Sequence, residues 1–75
     1  MEASSQELDL RGVRCPVAWA RAKVRLEMLE RGTEVTLVVD DPRSARDLPC
    51  AAEASGHHVI GVQADGAWWR IVLEV

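Results

Sequence analysis

The stretch that decides the fold is residues 7–16, which read ELDLRGVRCP. Its first five residues alternate between polar and apolar side chains, and this pattern predicts a strand at 7–11 with one buried face. Gly12 ends that strand, and Pro16 suits the first turn of a helix because no backbone N–H is needed there. The stretch therefore predicts a strand, a short loop that holds Cys15, and the start of a helix.

The first helix is predicted to run from Pro16 to Arg31 and to stop at Gly32, because the segment is rich in helix-forming residues. Five apolar residues fall within about 100° on a helical wheel and predict its buried stripe: Ala18, Trp19, Ala22, Leu26 and Leu29. A second, interrupted apolar stripe comprises Val17, Ala20, Val24 and Met28. It is either the edge of the core or a surface for contact with a partner.

A second helix is signalled by Asp41, which can serve as a cap, with Pro42 at the first helical position. Pro49 is expected to interrupt this helix, because proline removes a backbone donor and its ring crowds the preceding turn. Asp47 is a possible second cap. We therefore expect a short turn first and then a helix from about residue 48 to residue 55.

Three further strands complete the chain. Residues 33–39 are rich in β-branched side chains and predict the second strand. Residues 58–64 and 67–75 predict the last two, joined by Asp65-Gly66, which is a strong signal for a two-residue hairpin loop.

The resulting order, β-α-β-α-β-β, predicts a two-layer α/β sandwich. Strands that alternate in polarity have one wet face, so both helices should cover the same face of a four-stranded mixed sheet. A right-handed crossover makes the first two strands parallel neighbours, and the hairpin makes the last two antiparallel. We assign residues 1–7 to a flexible N-terminus and residues 8–75 to one domain, since 75 residues allow one core.

Composition and charge narrow the classes of function. The net charge of −3 argues against direct binding to nucleic acid. No apolar run is long enough to span a membrane, and the polar, acidic N-terminus shows no signal peptide. Two cysteines without an export signal indicate free thiols in a reducing cytoplasm. Six of the nine Lys and Arg residues lie between Arg11 and Arg31, so a basic patch is expected around the segment that begins at Cys15.

Cys15 is the candidate reactive residue. Helix N–H groups, the positive end of the helix dipole and the neighbouring Arg11 and Arg14 should all favour the thiolate form, which is the nucleophile in sulfur chemistry. The competing interpretation is a buried cysteine that acts as a small apolar side chain. Cys50 lacks CxxC spacing and is expected to be structural, packed in the second helix, although it could be a resolving thiol for Cys15.

No cofactor or metal site is expected. The adjacent His57 and His58 would point to opposite faces of a strand, so they cannot readily bind one ion together. No phosphate-binding glycine loop or catalytic triad pattern is present either. The chain is therefore expected to work with partner enzymes rather than as a stand-alone catalyst.

Three segments strongly resemble the TusA (SirA-like) family of sulfur carriers: LDLRGVRCP at 8–16, DDPRSARDLP at 40–49 and GHHV at 56–59. The resemblance implies that the last strand lies between the second and third. It also implies that Cys15 carries a persulfide sulfur received from a cysteine desulfurase or a rhodanese. A downstream sulfur-relay protein would accept that sulfur, for tRNA thiolation, molybdenum cofactor or other sulfur metabolism.

By the same resemblance, Pro16 is the first proline of a Cys-Pro-x-Pro motif, and Ala18 stands where the second would be. We expect a proline at position 18 to cost no hydrogen bond and its absence to loosen the Cys15 loop. Supporting roles are expected for Pro16, Arg14 and Arg11. Partner binding is expected on the first helix, at Arg21, Arg25, Val17, Val24 and Met28.

Two other functions are compatible with the residues. Cys15 and Cys50 could cycle through a disulfide in a thiol redox module. An RNA-binding or regulatory module is suggested by fold analogy alone, which is weak evidence for function.

Overall fold

A computed structural model describes residues 5–75, and in that range the predicted elements occur in the predicted order. The strands are β1 (Ser5–Asp9), β2 (Glu34–Val39), β3 (His58–Asp65) and β4 (Trp68–Glu74), and the helices are α1 (Val17–Glu27) and α2 (Pro42–Ala54). Neither helix is long and apolar enough to cross a membrane.

The four strands form one mixed sheet in the order β1-β2-β4-β3. β1 and β2 are parallel neighbours, whereas β4 is antiparallel to both β2 and β3. The last strand therefore lies between the second and third, as the family resemblance implied. The predicted fold class is confirmed.

The core lies between one face of the sheet and the two helices. Central strands β2 and β4 supply Val35, Leu37, Ile71 and Leu73 to it, all fully buried. The helices cover them with a stripe of small and branched residues, namely Ala18, Ala22 and Leu26 from α1 and Leu48 and Ala52 from α2. Trp19 and Leu29, also predicted for the buried stripe, are partly buried at its margin.

β1 begins earlier than predicted, and α1 ends earlier than predicted. β1 starts at Ser5 because residues 5–9 pair with residues 34–38 of β2. The strand therefore begins before residue 7, its predicted start, and residues 1–4 of the predicted flexible N-terminus lie outside the described residues. α1 ends at Glu27 instead of Arg31, because Met28 and Leu29 make tighter bonds to carbonyls three residues back.

Pro49 does not interrupt α2, and the prediction of a short turn followed by a second cap at Asp47 is wrong. The helix runs unbroken from Pro42, and Asp41 caps it as predicted, accepting a hydrogen bond from the Arg43 N–H. Three residues spaced four apart, Ser44, Leu48 and Ala52, are buried along this helix. Burial on both sides of Pro49 outweighs the one missing backbone bond, because packing of an apolar face supplies most helical stability in proteins.

The β3–β4 hairpin turns one residue later than predicted. Asp65 pairs with Trp68, so the two loop residues are Gly66 and Ala67 instead of Asp65 and Gly66. Gly66 has a φ of 65°, as a type II′ turn requires of its first central residue. The shift leaves Asp65 in the sheet, where its carboxylate lies 3.4 Å from the Arg70 guanidinium.

Candidate functional site

Cys15 lies in a cavity where two strand ends meet. Because β1 and β2 are parallel neighbours, the loops that follow them emerge at the same edge of the sheet, which is where α/β folds commonly build their sites. The cavity has a volume of about 580 Å³ and is lined by Gly12, Arg14, Cys15, Asp40, Asp41, Pro42 and Arg43. Cys15 is partly exposed there, so its thiol is not a core side chain.

Two consecutive aspartates at the end of β2 hold the loop that carries Cys15. The Gly12 N–H donates to Asp40 Oδ1 at 2.9 Å, and the Cys15 N–H donates to Asp41 Oδ2 at 3.3 Å. The Leu10 N–H also donates to the Val38 carbonyl of β2 at 2.7 Å, so residues 10–15 are held both to β2 and to the two aspartates that follow it. Reasoning from sequence considered Asp41 only as a helix cap, and it connected neither aspartate with Cys15.

The backbone around Cys15 leads directly into α1. Pro16 is the residue that precedes the helix rather than its first residue, and the Cys15–Pro16 peptide bond is cis. The Ala18 N–H donates to the Arg14 carbonyl at 2.9 Å, which closes a turn around the thiol. Cys15 therefore stands just before a helix N-terminus, as predicted.

The expectation that proline at position 18 would cost no hydrogen bond is wrong. Proline has no N–H, so it could not make the bond that Ala18 donates to Arg14. Ala18 is also completely buried against the core. In this chain a hydrogen bond closes the Cys15 turn at the position where the motif has its second proline.

The charges around Cys15 are mixed rather than uniformly basic. Arg14 and Arg43 each line the cavity, but so do Asp40 and Asp41. The signal that could have revealed these acids is the predicted parallel pairing of β1 and β2, which places the residues after both strands together.

Asp41 is held in its charged form by its neighbours. Burial alone would raise the pKa of Asp41, but N–H donors from Cys15 and Arg43 and the Ser44 hydroxyl outweigh it. The positive charge of Arg14 acts in the same direction, so the pKa of Asp41 lies below its ordinary value.

Known proteins resemble this chain over nearly its whole length. Residues 6–75 match the family model described as "Sulfurtransferase TusA". The chain belongs to the TusA family. It is 28% identical over 69 residues to the "Sulfur carrier protein TusA" of Allochromatium vinosum, covering 92% of this chain and 91% of that protein. A "Putative sulfur carrier protein" of Archaeoglobus fulgidus is 31% identical over 72 residues, 95% of this chain and 82% of that protein.

A solved TusA-like fold supports the same assignment. The crystal structure of the SirA-like protein from Desulfitobacterium hafniense superimposes with a TM-score of 0.79 at 30% sequence identity. The match covers 93% of this chain and 96% of that one. The similarity therefore extends over the whole TusA-type sandwich and not only over the motif at Cys15.

Arg11, which was expected to support the TusA-family cysteine by its charge, faces other partners. Its guanidinium donates to Asp9 at 2.9 and 2.7 Å and lies 4.2 Å from the centroid of the Trp68 ring. These hydrogen bonds, together with one from the Arg11 backbone N–H, lower the pKa of Asp9 to about 2. Arg11 thus ties the start of the Cys15 loop to β4 through a cation–π contact, and it does not line the cavity.

The second apolar stripe of α1 is surface and not core. Val17, Val24 and Met28 are 51%, 61% and 77% exposed. Arg21 lies among them, because residues spaced three, four and seven apart share one face of a helix. In this TusA-family domain an apolar and basic stripe therefore starts two residues after Cys15 and runs along the helix.

Cys50 is not packed in the core, contrary to expectation. It is exposed on α2 and borders a different cavity, together with Pro49, Glu53 and Val59. About 13 Å of helix axis separates it from the Asp41 cap that touches Cys15. Within residues 5–75 both cysteines of this TusA-family chain are free thiols, and the geometry does not favour a disulfide between them.

Proposed function

We propose that this TusA-family protein is a sulfur carrier that holds a persulfide on Cys15. The observation that carries the proposal is the position of this thiol. Cys15 is partly exposed in a cavity open to solvent, while its backbone is anchored to Asp41 and enters α1 directly. A side chain that must meet two different proteins in turn needs such access, and a fixed main chain presents it in one direction.

The transfer requires no change in overall oxidation state. The Cys15 thiolate attacks the terminal sulfur of a donor persulfide, forming a new S–S bond as the donor's S–S bond breaks. The donor cysteine leaves as a thiolate, and the transferred sulfur stays on Cys15 with its proton or negative charge. Passage to the acceptor repeats the same exchange with Cys15 as the leaving thiolate.

The proposed donor is a cysteine desulfurase or a rhodanese, and the proposed acceptor is a downstream sulfur-relay protein. Relatives whose names describe sulfur carriers support this role. The end use would be tRNA thiolation, molybdenum cofactor synthesis or another sulfur pathway. We place the carrier in the cytoplasm, since a persulfide relay needs thiols that a reducing compartment keeps free.

The direct test is sulfur loading of the unmodified protein. Incubation with a cysteine desulfurase and cysteine should add the mass of one sulfur atom to the intact protein, and a reductant should remove it. A protein that gains no sulfur from either a desulfurase or a rhodanese would contradict the carrier function.

Partners are proposed to dock on the exposed stripe of α1, next to Cys15. The stripe combines apolar contact area at Val17, Val24 and Met28 with the positive charge of Arg21. Arg25 is exposed beside it and lies 3.5 Å from the Gln6 amide oxygen. The complementary partner surface is apolar with an acidic rim.

Reversing two charges on this stripe should slow association with the donor. In Arg21→Glu plus Arg25→Glu we expect an association rate about tenfold lower at low salt, because complementary charges steer encounter. The difference should shrink as the Debye length falls to about 8 Å near 0.15 M salt. Stopped-flow or surface-based binding kinetics at several salt concentrations would measure it.

The matched control carries the same change of net charge elsewhere. Lys23 lies on the opposite side of α1 from Arg21, and Arg46 is exposed on α2, so Lys23→Glu plus Arg46→Glu should bind nearly as the wild type does. An equal decrease in association rate in both double variants would mean that binding depends on net charge and not on the α1 stripe.

A further inference from the structure

Asp41 has two separate tasks, one for each carboxylate oxygen. Oδ1 accepts the Arg43 N–H at 3.2 Å and caps α2. Oδ2 accepts the Cys15 N–H at 3.3 Å and the Ser44 hydroxyl at 3.4 Å. The hydroxyl belongs to a completely buried residue, so this side of the carboxylate is fixed by the protein interior. One side chain thus joins the start of α2 to the backbone of the reactive cysteine, 26 residues away.

The loop is held on both sides of the thiol. The Cys15 N–H is bound to Asp41, and beyond the thiol the Ala18 N–H is bound to the Arg14 carbonyl. Without the contact to Asp41, the Cys15 N–H would lose the hydrogen bond that ties it to the start of α2, and the loop could change its φ and ψ angles around the thiol. A displacement of about 1 Å at a reacting group can cost as much as about a hundredfold in rate.

We propose that Asp41 is a positioning residue, which fixes the main chain of Cys15 and so sets the direction in which its sulfur meets the donor. The inference rests on the proposed carrier function. Asp41 acts through the backbone of Cys15 and need not touch the transferred sulfur.

The substitution Asp41→Asn separates the two tasks. Asparagine is as good a helix cap as aspartate, so its oxygen can still accept the Arg43 N–H. Its NH₂ group then occupies the place of Oδ2 and faces the Cys15 N–H, and two donors cannot bond to each other. Asp41→Ser is a second variant, which also keeps a capping oxygen but has no second acceptor. The control is Asp47→Asn, which removes the same charge from an exposed site on α2.

Three rate measurements, compared with the unfolding midpoint, distinguish positioning from a general structural effect. In Asp41→Asn and Asp41→Ser, hydrogen exchange of the Cys15 amide should accelerate, while the unfolding midpoint falls by no more than the several degrees that the loss of about one hydrogen bond costs. Sulfur loading from a desulfurase should slow about tenfold at saturating donor, the loss expected from one hydrogen bond, with the half-saturating donor concentration unchanged. Alkylation by iodoacetamide, a small reagent that approaches from many directions, should not slow. Asp47→Asn should match the wild type in all three.

Wild-type loading and exchange in both Asp41 variants would overturn the inference. So would equal slowing of alkylation and loading, because that pattern indicates a less nucleophilic thiol and not a misdirected one. If the wild-type protein itself takes up no sulfur, the carrier function fails, while the exchange rate of the Cys15 amide still decides whether Asp41 holds this backbone.

Discussion

Replacing Cys15 with serine is expected to abolish sulfur loading, whereas replacing Cys50 with serine should leave it intact. The attack on a persulfide needs a thiolate, and a serine hydroxyl does not ionise at neutral pH. Cys15 opens into the cavity between the β1 and β2 loops, while Cys50 is exposed on α2 beside a separate cavity. Intact mass after incubation with a desulfurase and cysteine measures loading in each variant.

Both substitutions should leave the fold unchanged, so a difference in sulfur loading between the two variants can be assigned to the thiol that was removed. Serine differs from cysteine by one atom, and a change at an exposed site such as Cys50 usually alters stability by no more than about 0.5 kcal/mol. Sulfur uptake by Cys15→Ser would show that another group carries the sulfur. Loss of uptake in a folded Cys50→Ser would instead favour a mechanism that uses both thiols.

Truncating Leu37 to alanine should destabilise the protein by about 2–5 kcal/mol, the range found for buried leucines. Leu37 is fully buried in β2, with Leu8 of β1 and Ile71 of β4 as its neighbours across the sheet. A domain of 75 residues has a free energy of unfolding of about 4–11 kcal/mol, so one such loss removes a large part of it. Urea denaturation followed by circular dichroism would measure the change.

The control for Leu37 is a valine in the same sheet. Val62 on β3 is 46% exposed, so Val62→Ala removes little buried surface and should cost under about 1 kcal/mol. If both substitutions cost the same, the core between sheet and helices would not be the main source of stability.

Local patterns were enough to predict the elements and the fold class. Alternation at residues 7–11, the Asp41-Pro42 start signal and the run of β-branched residues at 33–39 each correspond to an observed element, displaced by at most a few residues. The prediction was wrong where a local rule of helix chemistry conflicted with the burial of side chains. Pro49 should break a helix by its own chemistry, yet α2 continues because Leu48 and Ala52 on either side are buried.

The reactive cysteine could be proposed from sequence, but its surroundings could not. Helix-start chemistry singled out Cys15 and Pro16, since both signals lie within a few residues. The α1 stripe was left open between core edge and contact surface, because a periodic pattern shows which residues share a face and not whether anything covers it. Only the packed structure shows Val24 and Met28 exposed.

By itself, the sequence determined the order of elements, their approximate bounds and the thiol at the head of α1, because each depends on interactions among near neighbours. The tertiary structure alone decided that Asp41 holds the Cys15 backbone and that Arg11 lies over the Trp68 ring. Both contacts join residues far apart in the chain, and they exist because parallel pairing of β1 with β2, and insertion of β4 beside β2, bring those residues to one edge of the sheet.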